Sequence, residues 1–318
     1  MVISDYICTK NEVMTERYIN PHTDFGFKRL FGSEFNKDLL ISFLNALLAG
    51  EQTVVDVTYL NAEQLGERCD SRRAIFDVYC RNDRGDRFIV EMQNAYQEFF
   101  KDRTVYYSTF PIREQSKRGE DWDYQLDHVY TVGLLNFVFD EDKDNRDYFH
   151  HEVMLMDVNT KEVFYDKLTL IYIEIPKFNK REDELQTMFD KWMFVLRNLS
   201  RLLERPAALQ ERVFTQLFEQ AEIARFDAND LKEYEDSVNA YRDIINAINT
   251  EGKRKYAEGR AEGRAEGRAE GRAEGRAEGA EIRTREFARI MLQANEPIGK
   301  IMAFTGLTES DIEDLRQG

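Results

Sequence analysis

Apolar residues recur at spacings of three and four early in the chain: Phe27, Leu30 and Phe31, then Leu39, Leu40, Phe43, Leu44 and Leu47. That period predicts one or two amphipathic helices over 22–48, opened after Pro21 and stopped by Gly50. The period then shortens to two. Strands are predicted over 54–60, 74–80 and 88–93, with Asn82-Asp83-Arg84-Gly85-Asp86 as the hairpin turn between the last two. A helix follows over 97–117, kinked or split at Pro111, and then a long strand over 126–139. The order to this point is α-β-β-β-α-β. Two further strands are predicted over 152–158 and 169–175. Amphipathic helices are predicted over 182–203, 207–220 and 228–249, with Pro206 between the first two. Two short helices close the chain over 297–315, around Gly306. Thr308 with Asp311 has the spacing of an N-cap and its acidic partner.

The long interval between the third helix and the tail is a tandem repeat of Ala-Glu-Gly-Arg, from Ala257 to Gly279, holding six of the 17 glycines. A period of four drifts ~40° per repeat around an α-helix, so no residue type keeps one face. Glu and Arg stand two or six apart, while like charges fall at i, i+4. Each glycine costs ~1 kcal/mol relative to alanine. In isolation such a helix frays. Two readings stay open: a solvated, partly helical spacer, or a helix steadied by a second copy.

Composition narrows the classes. Hydrophobic residues are 42% of 318, enough for a core. Three cysteines, Cys8, Cys69 and Cys80, make neither a disulfide framework nor a zinc motif. Met1–Asn20 has no apolar run after a basic patch, so no signal peptide is expected. The apolar stretches 39–49 and 129–139 fall short of the ~20 residues of a membrane helix. The expectation is a cytoplasmic protein with no membrane partner. The net charge of −16 is uneven: residues 1–119 carry 16 basic and 18 acidic side chains, residues 120–250 carry 15 and 28. The first third is thus nearly neutral and can present a local basic face, although strong non-specific DNA affinity is not expected.

The chemistry concentrates at Asp77, Glu91 and Gln93. Asp77 interrupts an apolar strand beside Phe76 and Val78; Glu91 and Gln93 share one face of the next. The Gly85 hairpin lays these strands side by side. Two carboxylates in apolar surroundings need a cation or strong hydrogen bonds, and oxygen ligands suit Mg²⁺ or Mn²⁺. The Met92 carbonyl is a possible further ligand. The alternative is pairing with Arg72, Arg73 or Arg87, or a solvated sheet face. Arg103 and Tyr107, four apart, share a helix face that contacts phosphate, or seats Gln115 near the site, or simply packs. His150 and His151 follow an acidic loop and read as surface. No Gly-x-Ser-x-Gly, Cys/His or phosphate-loop pattern supports other hydrolase or nucleotide chemistry.

Taken together, Asn20-Pro21-His22-Thr23-Asp24-Phe25-Gly26-Phe27-Lys28-Arg29-Leu30-Phe31, Phe76-Asp77-Val78, Ile89-Val90-Glu91-Met92-Gln93, Arg103 with Tyr106 and Tyr107, Gln115, and Ile173-Glu174-Ile175-Pro176-Lys177-Phe178 resemble the PD-(D/E)XK nuclease superfamily. The branch resembled is the recombination-promoting nucleases (Rpn) and related transposases, over residues 18–250. The resemblance implies a restriction-endonuclease-like αβββαβ core, mixed α/β, with added strands, a helical C-terminal region and the Gly/Ala/Glu/Arg repeat helix. It implies Asp77 and Glu91 as metal ligands and Asp24 as an auxiliary acid, against a plain helix N-terminal role for Asp24. Gln93 stands where most of the superfamily has lysine. Neutral Gln supplies no charge, so it either orients water or is helped by another cation, with Lys28 and Lys101 as candidates.

The domain expectation is a nuclease-like domain over 1–178, a helical region over 179–250, a repeat helix or spacer over 251–290 and a two-helix tail over 291–318. The tail's second helix carries Glu309, Asp311, Glu313 and Asp314, a repulsive face for DNA, so an interaction module is preferred to a helix-turn-helix. The expected function is a Mg²⁺- or Mn²⁺-dependent DNA endonuclease acting in recombination or against foreign DNA, homo-oligomeric through the repeat helix. The alternatives are a catalytically inactive nuclease fold kept for interactions, and RNA as substrate.

Overall fold

A computed structural model describes residues 16–50, 52–61, 63–64, 74–116 and 123–317. Cys8, Cys69, Arg72 and Arg73 lie outside the described residues. Helix α1 (Asp24–Phe31) begins at Thr23, whose hydroxyl accepts the Gly26 N–H at 3.0 Å. The motif before it is a knot of local bonds: Asn20 accepts His22 N–H on its side chain and Thr23 Oγ1–H on its carbonyl. Gly26 is required there, because a Cβ would stand 2.1 Å from the Asn20 carbonyl oxygen. A 3₁₀ turn at Glu34–Asn36 separates α1 from α2 (Lys37–Leu47), and Asn36 Nδ2 caps the Arg29 carbonyl.

Six strands form one mixed sheet in the order β1-β4-β5-β6-β8-β7: β1 (Val57–Tyr59), β4 (Val78–Asn82), β5 (Arg87–Gln93), β6 (Val129–Leu135), β7 (His150–Met156) and β8 (Val163–Glu174). A separate two-stranded ladder pairs β2 (Glu63–Gln64) with β3 (Ala74–Ile75). The β4–β5 hairpin turns at Gly85, whose φ of +100° suits glycine. Strands β5, β6 and β8 are parallel; β1, β4 and β7 run against their neighbours.

Helices lie on both faces of the sheet. On one, α1, α2, α4 (Met188–Asn198) and α5 (Arg212–Ala221) pack over Phe88, Val90, Val132, Ile171 and Ile173. Trp192 is the centre of that core, within 6 Å of the ring centroids of Phe31, Phe43 and Phe214. The expected helical region therefore shares its core with the sheet. On the other face lies α3 (Phe100–Glu114), with Phe76, Tyr79 and Ile89 under one end and Leu135 and Tyr172 under the other.

Three expectations change. Helix α3 is not split at Pro111 but runs through it, at the cost of the ladder bond that the proline nitrogen cannot donate. The strand expected over 74–80 is broken between β3 and β4. Helix α6 (Ala228–Gln293) is continuous through the repeat. Flanking helix supplies the nucleus, and Ala, Glu and Arg propagate it. The chain divides into two compact units at Ile248/Asn249. In the second, the end of α6 packs with α7 (Ile298–Thr305) and α8 (Glu309–Gln317) around Ala288, Ile301 and Ile312. The Thr308–Asp311 cap forms as its spacing predicts. Among the described residues no helix is long and apolar enough to cross a membrane.

Candidate active site

The break between β3 and β4 falls at Asp77. Its Oδ2 accepts the Met92 N–H at 2.8 Å, so a side chain takes the place of a ladder carbonyl. The β4–β5 register, Val78 opposite Val90, puts Asp77 beside Glu91. Glu91 is buried on the α3 face, and its Oε1 has no hydrogen-bond partner. Burial, reinforced by the charge of Asp77, pushes the Glu91 carboxyl well above the carboxylate range. Burial also raises Asp77, against the stabilising Met92 N–H. Two carboxylates that resist ionisation together mark an electrostatic demand for a cation.

Gln93 lies two residues along the same face. Its amide oxygen accepts a short bond from Arg103 of α3, and its amide nitrogen donates to the Ala95 carbonyl at 2.9 Å. Arg103 also donates to Gln97 Oε1 at 2.7 Å, and its guanidinium is 3.9 Å from Glu91 Oε2. The rings of Phe100 and Tyr107 flank it, centroids at 5.1 and 5.5 Å. The candidate catalytic strand is thus bound to a cation from α3. From α1, Lys28 pairs with Asp24 at 2.8 Å, and its charge favours the ionised form of both Asp77 and Glu91. Helix α1 is held by α6 at both ends: Phe25 N–H in its first turn donates to Ser237 Oγ, and Arg29 in its last turn pairs with Asp230.

The sequence model of a family described as PD-(D/E)XK nuclease family transposase matches residues 21–251. The chain belongs to that family. A search of the curated proteins finds no match, and neither does a search of the solved structures. Membership in the PD-(D/E)XK family and the mixed sheet agree on a restriction-endonuclease-like fold and support a nuclease-like function.

Against that PD-(D/E)XK frame, the predicted residues fall into two groups. Asp77, Glu91, Gln93, Asp24, Lys28, Arg103 and Tyr107 are brought together; the Tyr107 hydroxyl is raised first by burial and then by Glu91. Gln115 and Lys101 are placed elsewhere. Gln115 binds the backbone of Asp127, accepting its N–H at 2.6 Å. That is the opposite end of β5, where Arg87 pairs with Val129, about 13 Å along the strand from Glu91. Lys101 pairs with Glu141 and lies over the Phe139 ring at 4.5 Å. Residues four apart share a helix face, but Lys101 is two before Arg103 and so points away from it. Arg87 pairs with Asp127 and not with Asp77.

One cluster went unread in the sequence. Asp142, His151 and Glu174 hold ligand atoms within 4.8 Å of one another, a group of three among the described residues that could hold a metal ion. Glu174 is fully buried; its Oε1 accepts the Phe139 N–H at 2.6 Å and its Oε2 meets Lys177 Nζ at 2.5 Å and His151 Nε2 at 3.3 Å. Gln93, Leu135 and Glu174 are opposite one another across three parallel strands. The cluster is therefore about 10 Å from Gln93, at the same sheet end. Lys177 already neutralises Glu174. The available signal was a glutamate inside the apolar run 170–175, the same kind that drew attention to Asp77.

Proposed function

We propose that the chain is a divalent-metal-dependent DNA endonuclease, with Asp77 and Glu91 as the metal ligands. The observation that carries this reading is the pairing of a buried, partnerless Glu91 oxygen with a second carboxylate at a broken strand. The donor set fits a hard cation: carboxylate oxygens, with the nearby Met92 carbonyl, and no sulfur or imidazole. Bound there, Mg²⁺ or Mn²⁺ would polarise a phosphodiester and acidify a water.

The remaining roles belong to the chain. Arg103, fixed by Gln93 and Gln97 and walled by two rings, presents a rigid cation beside the carboxylates. Arginine matches phosphate in a planar fork. In this reading Gln93 is a positioning residue, and Arg103 supplies the charge that lysine would supply in other family members. Lys28, half-exposed and tethered by Asp24, offers a second cation to the backbone of the substrate. The repeat of α6, within the second unit, serves as a spacer or self-association helix.

The test is plasmid cleavage by the full chain with Mg²⁺, Mn²⁺ or chelator, beside Asp77→Ala and Glu91→Ala. Cleavage that needs metal and vanishes in both variants is the expected result. Folded protein that cuts neither DNA nor RNA in any metal would favour the inactive interaction protein.

A further inference from the structure

The loop that opens α1 is tied down from two sides. From α6, the Tyr234 hydroxyl accepts the Asn20 N–H at 3.0 Å. From the sheet, Asn94, the residue after β5, donates its Nδ2 to the His22 carbonyl at 2.7 Å. Side chains alternate along a strand. Glu91 and Gln93 face α3, so Met92 and Asn94 face the α1 side, where Met92 packs on the main core. The Asn94 amide is itself oriented. The Asn136 N–H continues the β5–β6 ladder onto the Gln93 carbonyl at 2.9 Å, which sets Asn136 beside Asn94. Asn136 Nδ2 then lies 3.5 Å from Asn94 Oδ1 and 3.3 Å from the Tyr241 hydroxyl of α6. With its oxygen so engaged, Asn94 turns its nitrogen to His22. A carbonyl only accepts, so this position needs a donor.

We propose that Asn94 is a positioning residue for phosphodiester cleavage: by tying the end of β5 to the loop before α1, it fixes Lys28 against the Asp77–Glu91 pair. This rests on the nuclease reading. The tie joins two elements that each carry part of the site. Glu91 lies just before Asn94 on the same strand, and Lys28 lies on the short helix that the His22 loop opens. Lys28 pairs with Asp24 at 2.8 Å, and its charge bears on both Asp77 and Glu91. Phe27, Leu30 and Phe31 bury the other side of α1, but apolar contact is non-directional and leaves a helix free to slide. A hydrogen bond to a named carbonyl sets its position along the strand. The stake is large, because a misplacement of about 1 Å can cost roughly 10²-fold in rate. Asn94 holds no ligand and meets no phosphate in this scheme. It acts through α1.

The test is plasmid cleavage by the full chain, with Asn94→Ala and the shape-conserving Asn94→Leu each made alone and together with Lys28→Ala. Each single variant should cut about tenfold or more slowly. The Mg²⁺ or Mn²⁺ concentration for half-maximal rate should stay within about twofold of wild type, because Asp77 and Glu91 hold the metal without α1. In the Lys28→Ala background either change at Asn94 should alter the rate by less than about twofold, since the residue it acts through is gone. Hydrogen exchange over 20–31 should quicken about tenfold with exchange over β5 unchanged, which reports the tie without any activity. Folded variants that cut at the wild-type rate, or that leave exchange over 20–31 unchanged, overturn the proposal. So does a loss that is equally large without Lys28 or that weakens the metal response, because a merely structural Asn94 would loosen the whole site. A wild type that cuts nothing in any metal instead refutes the nuclease reading, and this inference falls with it.

Discussion

Glu91→Gln should make the metal-free protein more stable, and the gain should grow with pH. The Glu91 carboxyl stands near 4.5 when unfolded and is pushed up to about 8 in the fold, by burial first and Asp77 second. Between those values the folded state holds the proton and the unfolded state does not. Stability therefore falls as pH rises through that window. At 1.36 kcal/mol per unit, the cost is about 3 kcal/mol at pH 7 and about 5 kcal/mol above pH 8. Glutamine is neutral in both states and escapes it. At about 2–4 °C per kcal/mol, the variant should melt roughly 6–12 °C higher at pH 7 and near the wild type at pH 4.5. The assay is thermal unfolding of both proteins in chelator at pH 4.5, 7 and 9. Adding Mg²⁺ or Mn²⁺ should then raise the wild type alone, because a bound cation stabilises only the ionised carboxylate. A wild-type-to-variant difference that stays flat across pH would refute the reasoning, since it would mean Glu91 is solvated or already compensated.

Four other outcomes are expected. Arg103→Lys and Arg103→Gln should each cut about 10²-fold more slowly with metal affinity unchanged, because neither side chain spans Gln93 and Gln97; wild-type rates would remove Arg103 from the site. Lys101→Ala should leave cleavage within twofold, since its partner is Glu141, and a large loss would restore it as a site cation. His22 is buried neutral and depressed to about 4, so the unfolded state binds its proton first and stability drops by about 3 kcal/mol as pH falls from about 6.5 to 4; denaturation of His22→Gln over that range should lack this component. Glu174→Gln strands the buried Lys177 ammonium and should cost about 3–5 kcal/mol in urea unfolding, whereas Glu174→Gln/Lys177→Met should recover much of it.

The local rules wrote a good deal of this protein into its sequence. Periodicity located most of the helices and strands, because an amphipathic face is a property of neighbours along the chain. The Asn82–Asp86 turn, the Thr308 cap and the glycine at 26 are equally local. Asp77 and Glu91 stood out for the same reason: a carboxylate in an apolar strand is anomalous wherever the strand packs. The sequence alone could not decide which cation accompanies them. Lys28, Lys101 and Arg103 all sat at plausible helical positions, and only the rotation of α3 against β5 turned Arg103 onto Gln93 and Lys101 onto Glu141. Gln115 went to the far end of β5 because α3 runs the length of the strand. Asp142, His151 and Glu174 come from a 3₁₀ turn and two strands, and they meet only when β7 pairs with β8. The strand break at Asp77 also needed the fold, because the bond that causes it reaches Met92 across the hairpin. Pattern sets each residue's face, whereas the partners on that face are chosen by how elements distant in sequence pack.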